Sequence, residues 1–314
     1  MKRLLSFLVC ALLILSSSLA FADPLYSEEM QRRADSGDVL YIAALGVAYA
    51  TGDGISQDFH KANEYWLKAI NHPEWNTIPA NVRGEVYSNL GNNYYHGKGV
   101  RQDYHKAVEY YRKAADLGNA QAMYNLGVSY AGGQGVRQDY HKAVEYYRKA
   151  ADLGDADAMS NLGYMYDEGK GVRQDYHKAV EYYHKAADLG NARAMYNLGV
   201  CYERGQGVRQ DYQKAVEYWR KATDLGYADA MYNLGVAYEK GLGVSQDYQK
   251  AVEYYRKAAD LGVANAMTNL GVMYYKGQGV RQDYRKAKEY FGKGCDNGNQ
   301  LGCDNYRKLN EQGY

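Results

Sequence analysis

The stretch GQGVRQDYHKAVEYYRKAADLG, Gly133 to Gly154, decides the fold because it recurs. Displacing the sequence by 36 residues brings its loop back as GKGVRQDY at 169 to 176, GQGVRQDY at 205 to 212, GLGVSQDY at 241 to 248 and GQGVRQDY at 277 to 284. Upstream, GKGVRQDY at 97 to 104 keeps the interval, whereas GDGISQDF at 52 to 59 stands 45 residues earlier, nine more than the period. Seven copies at a near-constant spacing describe a repeat array, a stack of one supersecondary unit in which each copy covers the flank of its neighbour.

The copy that begins at Asn119 serves as template. Its first helix, helix A, is predicted from about Asn119 to Ala131. Stepping residues by 100° puts Ala122, Met123, Leu126, Gly127 and Tyr130 on the buried face and Gln121, Tyr124, Asn125, Val128 and Ala131 on the other. A glycine inside a helix costs roughly 1 kcal/mol relative to alanine. Gly127 nevertheless recurs at 163, 199, 235 and 271, so close helix approach must offset that cost. Helix B starts after Asp139, whose carboxylate can accept the free amides of the first turn. It closes at Gly154, a residue able to take the left-handed conformation. Ala143, Tyr146, Tyr147, Ala150 and Ala151 form its apolar stripe, while His141, Glu145, Arg148, Lys149 and Asp152 face water. Glu145 and Lys149 stand at i and i+4, a pair worth about 0.2–0.5 kcal/mol.

Outward from the template, Asp38 to Ala50 and Phe59 to Ile70 form the first hairpin, preceded by a capping helix within residues 23–37. The interruption HPEWNTIPANVRG, 72 to 84, contains Pro73 and Pro79, which stop a helix, and reads as an extended loop with Trp75 tucked over the neighbouring hairpin. From Glu85 the rhythm is regular. The expected organisation is one domain of seven hairpins over 38–298 and a terminal capping helix over 299–314, an all-α α/α solenoid wound as a right-handed superhelix.

Residues 1–22 combine Lys2 and Arg3, an apolar run from Leu4 to Leu15 and the small-residue pattern Ala20-Phe21-Ala22, a cleaved secretory signal. No later segment is long and apolar enough to span a bilayer, so a periplasmic or secreted chain without stable membrane insertion is expected. The full sequence carries 38 Lys and Arg against 37 Asp and Glu, a balance that gives no general surface for nucleic acid.

The pattern A-x-x-x-N-L-G-x-x-Y followed by G-x-G-V-x-Q-D-Y-x-K-A-x-E-Y-Y-x-K-A-A-x-L-G closely resembles the Sel-one-like repeat (SLR), a branch of the tetratricopeptide superfamily. The resemblance covers about 38–312, and the first copy departs from it, with Ala44 where later copies carry Asn125 and its equivalents. It implies an adaptor or receptor that binds a peptide or protein. A second class enters through the cysteine-rich SLR proteins of pathogenic bacteria, described as binding or weakly hydrolysing β-lactams, and a third is a secreted factor acting on a host cell. The chain has no S-x-x-K, G-x-S-x-G, H-E-x-x-H or G-x-x-x-x-G-K-[ST], so no catalytic residue, cofactor or metal site is assigned. His105, His141 and His177 lie one repeat apart, on the order of 10–20 Å from the interhelix spacing, too far to share one metal. His177 and His184 are the one pair with helical spacing, on the water-facing side of helix B, and nothing completes a metal set. Cys201 reads as a packed thiol.

Cys295 and Cys303 map by the period onto Ala259 and Met267, positions that meet across the turn between helix B and the next helix A. A disulfide is expected there, and its spacing resembles the C-x7-C of the cysteine-rich SLR proteins.

The copies differ at 121, 124, 128, 131 and 132 and their equivalents, all on the helix A face away from the core. In tetratricopeptide-like superhelices that helix lines the concave side, which places the variable face in the groove. Amid it an asparagine is constant: Asn89, Asn125, Asn161, Asn197, Asn233, Asn269 and Asn305. An amide both donates and accepts, so such a ladder fits the backbone of an extended peptide, with Tyr164, Arg193, Tyr196, Glu203 and Tyr232 reading side chains. The same amides fit equally a scaffold role, satisfying groups of an adjacent helix or turn.

Overall fold

The computed structural model describes residues 25–314, so the expected signal at 1–22 lies outside the described residues. Among the described residues there are sixteen α-helices, one short 3-10 turn and no strand. They form two compact units divided between Ala158 and Met159. The first holds α1 (Glu28–Asp35), α2 (Val39–Thr51), α3 (Phe59–Ile70), α4 (Ala80–His96), α5 (Tyr104–Asp116), α6 (Ala120–Gly132) and α7 (Tyr140–Asp152). The second holds α8 (Ala156–Glu168), whose first turn belongs to the first unit, then α9 (Tyr176–Asp188), α10 (Ala192–Arg204) and α11 (Tyr212–Asp224). It continues with α12 (Ala228–Lys240), α13 (Tyr248–Asp260), α14 (Ala264–Lys276), α15 (Tyr284–Asp296) and α16 (Gln300–Glu311). Within each unit consecutive helices pack as antiparallel hairpins, the α/α solenoid that the repeat requires.

Local chemistry fixes the helix ends. The aspartate before each regular B helix accepts the backbone amide three residues on, as Asp139 does from Lys142 at 3.1 Å and Asp211 from Lys214 at 3.0 Å. Helix B then closes in a Schellman motif: in the template the Gly154 amide reaches the Ala151 carbonyl and the Asp155 amide the Ala150 carbonyl, with Gly154 at φ 88°.

The helix-interior glycines show what offsets their propensity cost. A Cβ on Gly127 would stand 2.5 Å from the ring of Tyr147, and one on Gly235 2.5 Å from that of Tyr255. The same overlap recurs between Gly163 and Tyr183, Gly199 and Trp219, and Gly271 and Phe291. Each B-helix aromatic is buried flat against bare A-helix backbone, so large apolar area is covered where a side chain would intrude.

Three details differ from the sequence-based expectation. On α7, Val144 is buried and Tyr146 is half-buried, because the Tyr146 ring stacks on Tyr130 at 5.6 Å instead of entering the core. On α6, Met123 is half-buried and Ser129 fully buried, its hydroxyl donating back to the Asn125 carbonyl at 2.8 Å. Residues 72–84 are not an extended loop. Trp75–Thr77 form a 3-10 turn and α4 begins at Ala80, since Pro79 occupies the N-cap, where its missing N–H removes no helical bond. Trp75 is tucked in, its indole N–H donating to the Tyr87 hydroxyl at 2.9 Å.

At the C-terminal end Cys295 and Cys303 form a disulfide, Cα atoms 4.5 Å apart, joining α15 to α16. Gly302 permits that approach: a Cβ there would lie 2.9 Å from the Phe291 carbonyl oxygen. Among the described residues no helix is long and apolar enough to cross a membrane.

Candidate functional site on the A helices

The tyrosines buried against the A-helix glycines pass their hydroxyls through to the polar side of helix A, where the asparagine ladder runs. In the first unit the Tyr111 hydroxyl donates to Asn92 Oδ1 at 2.8 Å. Asn125 Nδ2 donates to the same oxygen at 2.9 Å, and Asn125 Oδ1 accepts from Gln121 at 3.4 Å. Burial, reinforced by Tyr95 nearby, drives the Tyr111 phenol well above its ordinary range, so it acts only as a neutral donor. Asn89, half-buried on the same face, makes no side-chain hydrogen bond among the described residues.

In the second unit charge replaces amide. The Tyr255 hydroxyl donates to Glu239 and also meets the Asn269 amide, which holds the Tyr232 hydroxyl as well. Asn233 bonds the Tyr196 hydroxyl, whose ring lies 5.2 Å from that of Tyr227. Arg193 donates to Ser160 Oγ at 3.3 Å and to Asn161 Oδ1. Tyr164 is exposed and carries Lys170, whose Nζ reaches its hydroxyl at 2.8 Å. Glu203 and Asn197 are half-buried on α10 and make no side-chain hydrogen bond or ion pair among the described residues. Asn305 is half-buried on α16.

Asp167 was not singled out by sequence. Burial first, then the adjacent Glu168, holds its carboxyl above the usual range, with Arg204 opposing. Asn92, Glu239 and Asp167 all stand at variable positions. The signal that would have found Asn92 and Glu239 is the tyrosine 19 or 16 residues downstream whose hydroxyl needs a partner. Cys201 is buried and burial pushes its thiol up to about 12, an inert packed group. His184 is half-buried, not water-facing: the Tyr218 ring packs on it at 5.8 Å with its hydroxyl 3.3 Å from Nδ1, and burial lowers its pKa. Among the described residues no cluster of His, Cys, Asp and Glu is placed to hold a metal.

The face is therefore a band of amide, phenol and charged groups over an aromatic floor, suited to hydrogen bonding. No curated protein matches this sequence. Among solved structures, a protective antigen with an SLR fold from uropathogenic Escherichia coli is 30% identical over 90% of this chain and 59% of its own, with a TM-score of 0.72. The chain thus spans about three fifths of that protein. A Sel1 repeat protein from Oxalobacter formigenes is 33% identical over 89% of this chain and 79% of its own, also at 0.72. The Sel1 repeat model matches seven times, at 41–72, 85–119, 120–155, 156–191, 192–227, 228–263 and 264–299. Periodicity, hairpin geometry and these matches agree: the chain belongs to the Sel1 repeat family, whose solenoids are generally protein–protein interaction scaffolds.

Proposed function

We propose that this protein is an exported adaptor that binds an extended peptide or protein segment along the A-helix face. The carrying observation is Asn197. Its half-buried amide has no partner among the described residues, although ladder asparagines at 125, 161, 233 and 269 each bond a neighbouring side chain. Left to solvent, this amide is a free donor and acceptor that a peptide backbone would pair with. Around it, Arg193, Tyr196, Glu203, Tyr232 and Asn233 give a mixed surface for reading side chains, with Tyr164 and Asn161 on α8 and Asn269 on α14; in the first unit Asn89 and Asn125 take the same repeat position on their own A helices. Export to the periplasm or beyond is supported by the signal-like residues 1–22 and by the Cys295–Cys303 disulfide, a bond that persists in oxidising compartments.

The test is affinity capture from cell-envelope extract with wild-type, Asn197→Ala and the triple Asn161→Ala, Asn197→Ala, Asn233→Ala chain as baits, read by mass spectrometry. Asn197→Ala should lose the captured protein while melting as wild type does. The triple variant should lose it completely and melt lower, because Asn161 and Asn233 also bond neighbours. Undiminished capture by the folded triple variant would make the ladder scaffold alone.

A further inference from the structure

A second set of sites lies away from the A-helix face, in the loops that join each helix A to its helix B. In the second unit a cleft of about 710 Å³ opens under the loop before α9, and equivalents of about 580 and 950 Å³ open before α11 and α15. The first is lined by Tyr166, Arg173, Gln174, Asp175, Tyr176 and Lys178. Its far wall is Gly207 of the next loop, at φ 67°, where a Cβ would stand 2.2 Å from the Tyr176 carbonyl oxygen. The wall is thus fixed by backbone contact, and the same contact recurs between Gly243 and Tyr212 and between Gly279 and Tyr248.

The polar inventory of these clefts is incompletely used. Arg173, Arg209 and Arg281 are exposed and form no ion pair among the described residues, and neither do Lys178, Lys214 and Lys286. Each of these lysines is held over a tyrosine ring, at 5.4 Å from Tyr166, 5.2 Å from Tyr202 and 5.4 Å from Tyr274. The loop aspartate spends one oxygen on its helix cap, as Asp175 Oδ1 does with the Lys178 amide at 3.0 Å. The loop glutamine donates to the tyrosine hydroxyl, Gln174 to Tyr176 at 3.0 Å, which leaves that hydroxyl its own proton to donate. Where serine replaces the arginine, at Ser245, Lys250 keeps its place over the Tyr238 ring at 5.3 Å and also lies 3.9 Å from the loop carboxylate of Asp247.

We infer that these loop clefts bind acidic sugar residues, one to a cleft, of a glycan laid across successive hairpins. Two cations in the clefts before α9 and α11, and three, with Arg285, in that before α15, match an oxyanion such as a uronate carboxylate. The second aspartate oxygen stays open to accept, which sugar hydroxyls can use and a bare polyanion meets as like charge. The near-zero net charge of the whole chain means that binding depends on these local groups and not on a general field. This inference does not rest on the adaptor reading, since none of these residues lies on the asparagine ladder.

Calorimetric titration of the full chain with hexagalacturonate, with neutral galactohexaose and with a thymidine hexanucleotide separates the outcomes. Hexagalacturonate should bind and galactohexaose should not. The triple variant Arg173→Gln, Arg209→Gln, Arg281→Gln, with unchanged helicity, should bind hexagalacturonate about tenfold more weakly, the sum of three modest exposed charge contacts. Arg307→Gln, which removes an exposed cation on α16 outside the clefts, should leave affinity unchanged. Absence of binding, equal affinity in the triple variant, or equal binding of galactohexaose overturns the inference. Equally tight binding of the hexanucleotide with the same loss in the triple variant overturns the sugar assignment in favour of a plain polyanion edge.

Discussion

The two units solve one packing problem and then diverge. In both, a B-helix tyrosine lies against an A-helix glycine and sends its hydroxyl to the far side. In the first unit that hydroxyl ends on Asn92, shared with Asn125, a neutral network that closes on itself. In the second the equivalent hydroxyl of Tyr255 ends on Glu239, and the surrounding face carries Arg193, Glu203 and an unpaired Asn197. The fold tolerates either solution because burial of the ring, not the identity of the polar partner, supplies most of the stabilisation. The polar partner is thereby free to vary between copies.

The shared part of this comparison is broken by Gly127→Ala in the first unit and Gly235→Ala in the second. Alanine would gain about 1 kcal/mol in helix propensity. The new methyl, however, would sit 2.5 Å from ring carbons of Tyr147 or Tyr255, and overpacking of this kind costs about 1–3 kcal/mol or more. A net loss of about 1 kcal/mol, reaching about 2 where the ring cannot yield, is expected at both sites by urea denaturation. A stability increase at either would show that the ring yields, and that the glycine is not a packing requirement there.

How far these features were legible follows from the same contrast. The hairpins, the glycine approach and the Cys295–Cys303 bond were readable because each obeys the 36-residue period, so a position could be judged against its copies. Residues 72–84 were misread because they have no copy to compare with, and Pro79 was taken as a breaker when it serves as an N-cap. Tyr146 was assigned to the core because helical angle alone cannot distinguish burial from stacking on Tyr130. The polar partners Asn92 and Glu239 escaped because they differ between copies, and only the shared need of the tyrosine hydroxyl links them.

The divergent part is sharpened by comparing Asn92→Ala with Glu239→Ala. Removing Asn92 leaves both the Tyr111 hydroxyl and the Asn125 amide without that acceptor, a loss of about 1 kcal/mol or somewhat more. Removing Glu239 takes the acceptor from the Tyr255 hydroxyl alone, while the phenol oxygen keeps its bond from the Asn269 amide, so one lost contact against two gives a smaller expected loss. Chemical denaturation of the two variants, each against wild type, checks the order, and a larger effect at Glu239 would mean that the second unit depends on its charged partner more than the first does on its amide.

The smallest effect concerns Asp167, which stands in the second unit sixteen residues before Tyr183, as Glu239 stands before Tyr255. One methylene shorter, Asp167 remains within electrostatic reach of Tyr183 and carries a carboxyl held above its ordinary pKa by burial and by Glu168. A carboxyl whose folded pKa is raised binds its proton more tightly in the native state than in the unfolded one. Native stability therefore falls as pH rises from the unfolded value of 3.8 through the raised one, and the penalty is fully present above it. Asp167→Asn removes the titration and should melt slightly above wild type near neutral pH, with the difference shrinking as the pH is brought down towards 4. Solvent at this half-exposed site keeps the shift to a degree or so in melting temperature. Thermal scans at the two pH values decide it: a constant offset would place the effect in packing, and a lower melting temperature at neutral pH would show that the Arg204 attraction outweighs burial, making this carboxylate a stabilising ion like Glu239 and not a desolvated one.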